Sequence, residues 1–200
     1  MTMRRAALTG GLATGKSYCL ARFASLGARV VDADRLAREA VAPGTAGLAR
    51  VVERFGPEFL VADGSLDRPA LGQLVFADRT ARADLEAIIH PEVYRRIGEW
   101  FANLPAGTQI AIADIPLLFE TGHQHDFELV IVCACWPAEQ LRRLTARDGL
   151  SEAAARARLD AQWPIEEKVE RAHLVIRTDS GFAETDRAVA AAYERLRAGG

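Results

Sequence analysis

The chain has 200 residues, 50% of them hydrophobic and 26% charged, the make-up of an ordinary globular domain with enough length for a real core. A formal net charge of −2 leaves no broad basic field, so nucleic acid is not an expected partner. No apolar run is long enough to span a bilayer and the start Met1-Thr2-Met3-Arg4-Arg5 lacks a secretory pattern. With an odd three cysteines, Cys19, Cys133 and Cys135, a reduced, cytoplasmic setting is expected.

In chain order, Arg5 to Thr9 is short and apolar and predicts a strand. A glycine-rich loop then opens an apolar-periodic helix from Lys16 to Leu26, stopped by Gly27. Arg29-Val30-Val31-Asp32 predicts a second strand, and Asp34 to Val41 a helix ending before Pro43-Gly44. From Leu48 to Asn103 the pattern is helical, with turns expected at Gly56-Pro57, Asp63-Gly64 and His90-Pro91. Gln109 to Ala113 and Leu129 to Ala134 predict buried strands. Pro137 to Arg147 and Ser151 to Gln162 predict helices, Leu174-Val175-Ile176 a last strand, and Phe182 to Arg197 a closing helix. Strands alternating with helices imply an α/β fold whose parallel sheet is covered on both faces. Ligands of such sheets bind beyond the carboxyl ends of the strands. Three of those ends carry the glycine loop, the pair Asp32 and Asp34, and Asp114.

The loop Gly10-Gly11-Leu12-Ala13-Thr14-Gly15-Lys16-Ser17 fits G-x-x-x-x-G-K-[ST]. Its backbone N–H groups can wrap phosphates, Lys16 can neutralise the β- and γ-phosphates of ATP, and the Ser17 hydroxyl can ligate Mg²⁺. The cofactor-binding set is therefore Gly10, Gly11, Ala13, Thr14, Gly15, Lys16, Ser17 and Tyr18. Composition singles out Lys16 independently: of the 25 basic residues only Lys16 and Lys168 are lysine. An arginine-favouring chain keeps a compact ammonium where a planar guanidinium would not fit. Lys168, in Glu166-Glu167-Lys168, reads as a solvated surface residue.

At the other strand ends, Asp32 or Asp34 can act as a proton acceptor, hold a metal shell or cap a helix. Asp114 can join Ser17 and Asp32 around Mg²⁺ or end a strand before Pro116. Arg143 and Arg147 share a helix face and can clamp a transferring phosphoryl group, or form a solvated basic face. His123 and His125 lack a third clear metal ligand. Cys133 and Cys135 read as core, and Trp100, Trp136 and Trp163 as packing residues.

Along nearly its whole length the chain resembles the dephospho-coenzyme A kinases. The matching segments include Leu8-Thr9-Gly10-Gly11 through Ser17, Val31-Asp32-Ala33-Asp34 with Ala37-Arg38, Leu66-Asp67-Arg68, and Ile89-His90-Pro91. Asp114-Ile115-Pro116-Leu117-Leu118-Phe119-Glu120, Gln140-Leu141 with Arg143, Arg147 and Asp148, Gln162, and Ala172 to Ile176 complete the set. The resemblance implies a three-layer P-loop kinase fold with a sheet of about five strands. Its core would be 1–44, 106–136 and 166–200, its helical acceptor-binding portion 45–105, and its lid 137–165. It also implies transfer of the γ-phosphoryl of ATP to the ribose 3′-hydroxyl of dephospho-coenzyme A, with Asp34 as base and Arg143 and Arg147 in the lid. Asp34, His90, Pro91, Leu118 and Glu120 would meet the acceptor. Three positions depart from the family pattern. Ala13 replaces a second loop glycine, Tyr18 a common threonine, and Arg177-Thr178 a usual Asp-Asn near the expected adenine.

Overall fold

The computed structural model describes residues 3–199. In chain order the elements are β1 (Arg4–Gly10), α1 (Lys16–Ser25), β2 (Arg29–Asp32), α2 (Ala33–Ala40), α3 (Ala46–Phe55), α4 (Arg68–Ala77) and α5 (Arg79–Ala102). They continue with β3 (Ile110–Asp114), β4 (Leu129–Ala134), α6 (Pro137–Asp148), α7 (Glu152–Leu159), α8 (Ile165–Glu170), β5 (Leu174–Arg177) and α9 (Phe182–Ala198). The chain divides into two compact units: one of Met1–Val31 with Leu104–Gly200, the other Asp32–Asn103.

The first unit is built on a five-stranded sheet in the order β2-β3-β1-β4-β5. β1 runs parallel to β3 and β4, and β4 parallel to β5. Register follows from which side chains must be hidden. Ala6 and Leu8 of β1 pair with Ile112 and Asp114 of β3 and with Leu129 and Ile131 of β4. Ala6, Leu8, Ile110, Ile112, Ile131, Cys133 and Ile176 then share a face with Cys19 and Phe23 of α1 and Val189 and Leu196 of α9. The intervening residues Ala7, Ala111, Ala113, Val130 and Val132 are buried too. Burial of both faces is why these strands read as continuous apolar runs instead of alternating ones. The arrangement delivers Gly10, Asp114, Cys135 and Thr178 at or just beyond the ends of β1, β3, β4 and β5.

The second unit is helical around Val41, Leu48, Val51, Phe55, Leu66, Leu71 and Ala81. Its helices start on side-chain caps: Thr45 accepts from the Leu48 N–H, Asp67 from Ala70 and Asp78 from Thr80, at 3.1, 2.9 and 2.7 Å. The expected turn at His90-Pro91 is absent, because α5 runs through Pro91. A mid-helix proline costs about 3 kcal/mol. Here Ile88 and Ile89 pack on the unit's core, and Val93, Ile97 and Phe101 beyond the proline are buried. A continuous stripe of that size, at about 1.5–3 kcal/mol per buried side chain, outweighs the proline.

Gly47 sits in α3 where an added Cβ would collide with the backbone carbonyl of Ala40, whereas one at Gly72 in α4 would meet nothing within 4 Å. Glycine to alanine in a helix is otherwise worth roughly 1 kcal/mol of added stability. Gly72→Ala should therefore raise the denaturant midpoint, and Gly47→Ala should lower stability by roughly 1–3 kcal/mol through overpacking. Urea unfolding of both variants checks the opposite signs, and two shifts of the same sign would contradict the packing described.

Candidate phosphate-binding site

The loop between β1 and α1 is held by its carbonyls. A trans peptide points its C=O and its N–H in opposite directions, and no peptide bond here is cis. Holding a carbonyl therefore turns the following N–H away from the tether; those of Leu12 and Thr14 end on Gln162 Oε1 and Gly11 O, at 3.2 and 3.5 Å. The structure holds six in a row. Gly10 O accepts from Lys168 Nζ at 3.4 Å, Gly11 O from the Thr14 hydroxyl at 2.9 Å, and Leu12 O from Gln140 Nε2 at 2.8 Å. Ala13 O accepts from Cys135 Sγ at 3.9 Å, Thr14 O from the Thr178 hydroxyl at 2.9 Å, and Gly15 O from Tyr18 N and Cys19 N at 3.1 and 3.2 Å.

The donors so aimed converge on the start of α1, whose N-cap Gly15 supplies no side-chain cap. Among the described residues the N–H groups of Gly11, Ala13, Gly15, Lys16 and Ser17 meet no protein acceptor. A helix start with uncapped donors attracts an anion through both the N–H groups and the helix dipole. Glycine is required where side chains would break this arrangement. A Cβ at Gly10 would sit 2.5 Å from the Cys133 carbonyl, and one at Gly11 would collide with Gln140. Ala13 is the only non-glycine residue of positive φ among those described, at 58°. That strain, roughly 1–2 kcal/mol, explains why a glycine is usual at this position.

Lys16 donates from Nζ to Asp114, the two side chains 15% and 6% exposed. Asp114 thus stands at the end of β3 beside the loop, as the sequence suggests, and Ser17 is exposed at the first turn of α1. Arg143 of α6 is anchored by Glu139 at 2.7 Å and donates to the Thr178 hydroxyl and carbonyl at 3.0 and 2.7 Å. It thereby braces the residue that holds Thr14. Arg147, one turn on, pairs among the described residues with neighbouring Asp148 and is exposed. Arg142 shares Glu139 with Arg143. Cavities of about 450 and 700 Å³ flank the loop, the first against Tyr18, Thr178 and Phe182, the second against Gln140, Gln162 and Trp163.

Leu118 is wholly buried. Glu120 Oε1 accepts from Lys168 at 2.6 Å and from the Trp163 N–H at 3.1 Å. In the second unit, Asp32 accepts from the Asp34 and Arg35 N–H groups at 2.8 and 3.4 Å and is the N-cap of α2, while Asp34 stands exposed in that helix's first turn. His90 and Pro91 lie within α5.

Two sequence expectations are corrected. Lys168 is fully buried rather than solvated, because α8 turns its one lysine inward onto Glu120 and Gly10. Trp136 is 60% exposed rather than packed, with the Arg177 guanidinium over its ring. Gln140, Cys135 and Thr178 are loop tethers that the phosphate motif does not reveal, since each comes from a distant strand end or helix. Gln162 belongs with them, accepting from the Leu12 N–H at 3.2 Å. The scarcity of lysine was the one signal that could have found Lys168.

Sequence comparison matches the model of the Dephospho-CoA kinase family to residues 5–184. A dephospho-CoA kinase from Cutibacterium acnes is 47% identical over 195 residues, covering 96% of this chain and 84% of that protein. Among solved structures, the dephospho-CoA kinase from Campylobacter jejuni superposes with a TM-score of 0.76 at 29% identity, covering 99% of both chains. The Thermus thermophilus protein TT1252 does so with a TM-score of 0.83 at 36% identity, covering 96% of both.

Hydrogen bonds from Arg142 and then Arg143 hold the Glu139 carboxyl down to about 2, from an ordinary 4.5. For a depressed carboxyl, the stabilising contribution is complete above the ordinary value and is lost as pH falls through the folded one. The Glu139–Arg143 brace should therefore stay intact from neutral pH to about 4.5. A carboxyl ¹³C titration, assigned with Glu139→Gln, should give a midpoint near 2, and an unshifted midpoint would mean that neither Arg142 nor Arg143 is paired with Glu139.

Proposed function

The chain belongs to the dephospho-CoA kinase family, whose reaction is the final step of coenzyme A synthesis with ATP as phosphoryl donor, and we propose how its own residues divide that work. The acceptor atom in this reading is the ribose 3′-hydroxyl of dephospho-coenzyme A. The observation that carries the proposal is the row of tethered carbonyls from Gly10 to Gly15, which leaves a fan of N–H donors for a polyphosphate.

Lys16 has two possible partners, the Asp114 carboxylate it now touches and the phosphates of ATP. Its compact ammonium on a flexible stem can serve the second without rebuilding the loop. The Ser17 hydroxyl and Asp114 suit Mg²⁺, which supplies charge neutralisation and alignment of the phosphates when bound. No group of three or more His, Cys, Asp or Glu poised for a metal occurs among the described residues. That sparse donor set fits an ion which takes only one or two protein ligands beside substrate phosphates and water.

Arg143, already fixed by Glu139 and Thr178, is a preorganised cation beside the loop; Arg147 is a second cation on a longer leash. In the second unit, Asp34 is the proposed base. The cap role at this corner is filled by Asp32, while Asp34 is exposed in the same first turn, where a carboxylate can accept a hydroxyl proton. The same unit draws Arg68 close to Arg38: burial, then the Arg38 charge, lowers the pKa of Arg68. Arg68 Nη2 donates to the Arg38 backbone carbonyl at 3.0 Å, and cations in this stretch suit an acceptor that carries a pyrophosphate.

A coupled assay with ATP, Mg²⁺ and dephospho-coenzyme A, followed by mass analysis of the product, tests the overall reading; ADP formation without a phosphorylated acceptor would refute it. Lys16→Arg should fold normally yet lose more than about tenfold in turnover, equivalent to roughly 1.4 kcal/mol of transition-state stabilisation. A variant that keeps wild-type turnover would remove Lys16 from the mechanism.

The two aspartates should separate in one experiment. Asp34→Asn should leave thermal stability and ATP binding near normal and cut single-turnover transfer by roughly 10²-fold or more. Asp32→Ala should instead lower stability by about 1 kcal/mol, the worth of an N-cap. If Asp34→Asn transfers normally, the base lies elsewhere.

A further inference from the structure

Only two lysines occur among the 25 basic residues of this chain, and both end at the phosphate loop. Lys16 is inside it. Lys168 approaches from α8 on the opposite side, with no side-chain exposure at all, bonding Gly10 O at 3.4 Å and Glu120 Oε1 at 2.6 Å. Other positive charges in the chain are arginines, many in exposed pairs with glutamates three or four residues away. An ammonium is needed where two acceptors must be reached in different directions from one small buried point, which a planar fork cannot do.

We infer that Lys168 is a positioning residue for nucleotide binding: it pins the Gly10 carbonyl and so aims the Gly11 N–H into the phosphate cradle. Gly10 O and Gly11 N–H belong to one rigid trans peptide, so the first cannot swing without the second. Lys168 is the first in the line of carbonyl tethers and the only charged one. A charged donor holds a carbonyl more firmly than a neutral one, the more so in a buried setting. Glu120 completes the device: its Oε1 also accepts the Trp163 N–H, fixing where the ammonium can stand, and its Oε2 is buried without a hydrogen-bond partner. The inference rests on reading the loop as a nucleotide-phosphate cradle.

The competing explanation is that Lys168 merely neutralises a buried Glu120. Removing one partner of a buried pair leaves an uncompensated charge, whereas removing both can be close to neutral for stability. The experiment compares wild type, Lys168→Met, and the double variant Lys168→Met/Glu120→Gln by thermal melting, by calorimetric titration with ADP, and by KM for ATP against kcat. Lys168→Met should melt early and bind ADP at least about tenfold more weakly. The double variant should recover most of the melting temperature, yet keep the weakened ADP binding and a raised KM for ATP.

Recovery of ADP affinity together with stability would overturn the inference and reduce Lys168 to a counter-ion. Unchanged ADP affinity in folded Lys168→Met would overturn it as well. If the double variant also melts early, titration well below its melting point still decides, since affinity of the folded protein is the readout. Failure of the kinase reading is separately visible, as a wild type that binds ADP but phosphorylates no dephospho-coenzyme A.

Discussion

The site depends on a conflict that the fold resolves. A cradle for phosphate requires several backbone N–H groups aimed at one point, and such like-oriented dipoles repel one another when no anion is present. Left alone, a six-residue loop relieves this by rotating peptides, at a cost that flexible glycines make small. Here each rotation is blocked from behind, since every carbonyl from Gly10 to Gly15 already has a donor. With each neutral hydrogen bond worth about 1 kcal/mol net, no tether suffices singly. Their effect is collective, and the energy of ordering the loop is spent in folding rather than in binding.

Four of the tethers come from distant places, α8, α6 and the ends of β4 and β5, and that explains why they were hard to read from the sequence. β1, β3 and β4 were legible because both faces of the sheet are buried there, so Ile110 to Asp114 and Leu129 to Ala134 appear as unbroken apolar runs. The loop was legible because its own residues carry a dense pattern. Gln140, Thr178 and Lys168 carry none: each acts through one atom on one carbonyl, and nothing in the local sequence records that encounter. Lys168 was misread because Glu166-Glu167-Lys168 has the look of a wet helix face, and α8 itself was not expected. His90-Pro91 misled for the opposite reason. A strong local turn signal was overruled by the apolar stripe from Ile88 to Phe101, a tertiary effect that acts across the whole helix.

The Asp32-Ala33-Asp34 triplet illustrates a different limit. The residue types permit cap, metal ligand and base at either position, and composition cannot rank them. Hydrogen bonding assigns one of them. Asp32 Oδ1 accepts from two N–H groups at the start of α2, the geometry that defines an N-cap. Asp34 stands exposed in the first turn of the same helix.

The departure at Arg177-Thr178 gains a physical meaning from the same frame. It stands after the last strand, where contacts with the adenine are expected, yet Thr178 is 5% exposed and its hydroxyl is spent. It donates to Thr14 O at 2.9 Å and accepts from Arg143 at 3.0 Å. A side chain so occupied serves the phosphate end of a nucleotide, not its base. On the exposed surface around it Tyr18 and Phe182 meet at 4.8 Å between ring centroids and the Arg177 guanidinium covers Trp136. Aromatic faces and a guanidinium plane bind a purine by stacking, which tolerates changes in the ring's hydrogen-bonding edge. Under the proposed nucleotide reading, a substitution at residue 178 should disturb the grip on the phosphates through Thr14 before it touches the choice of base.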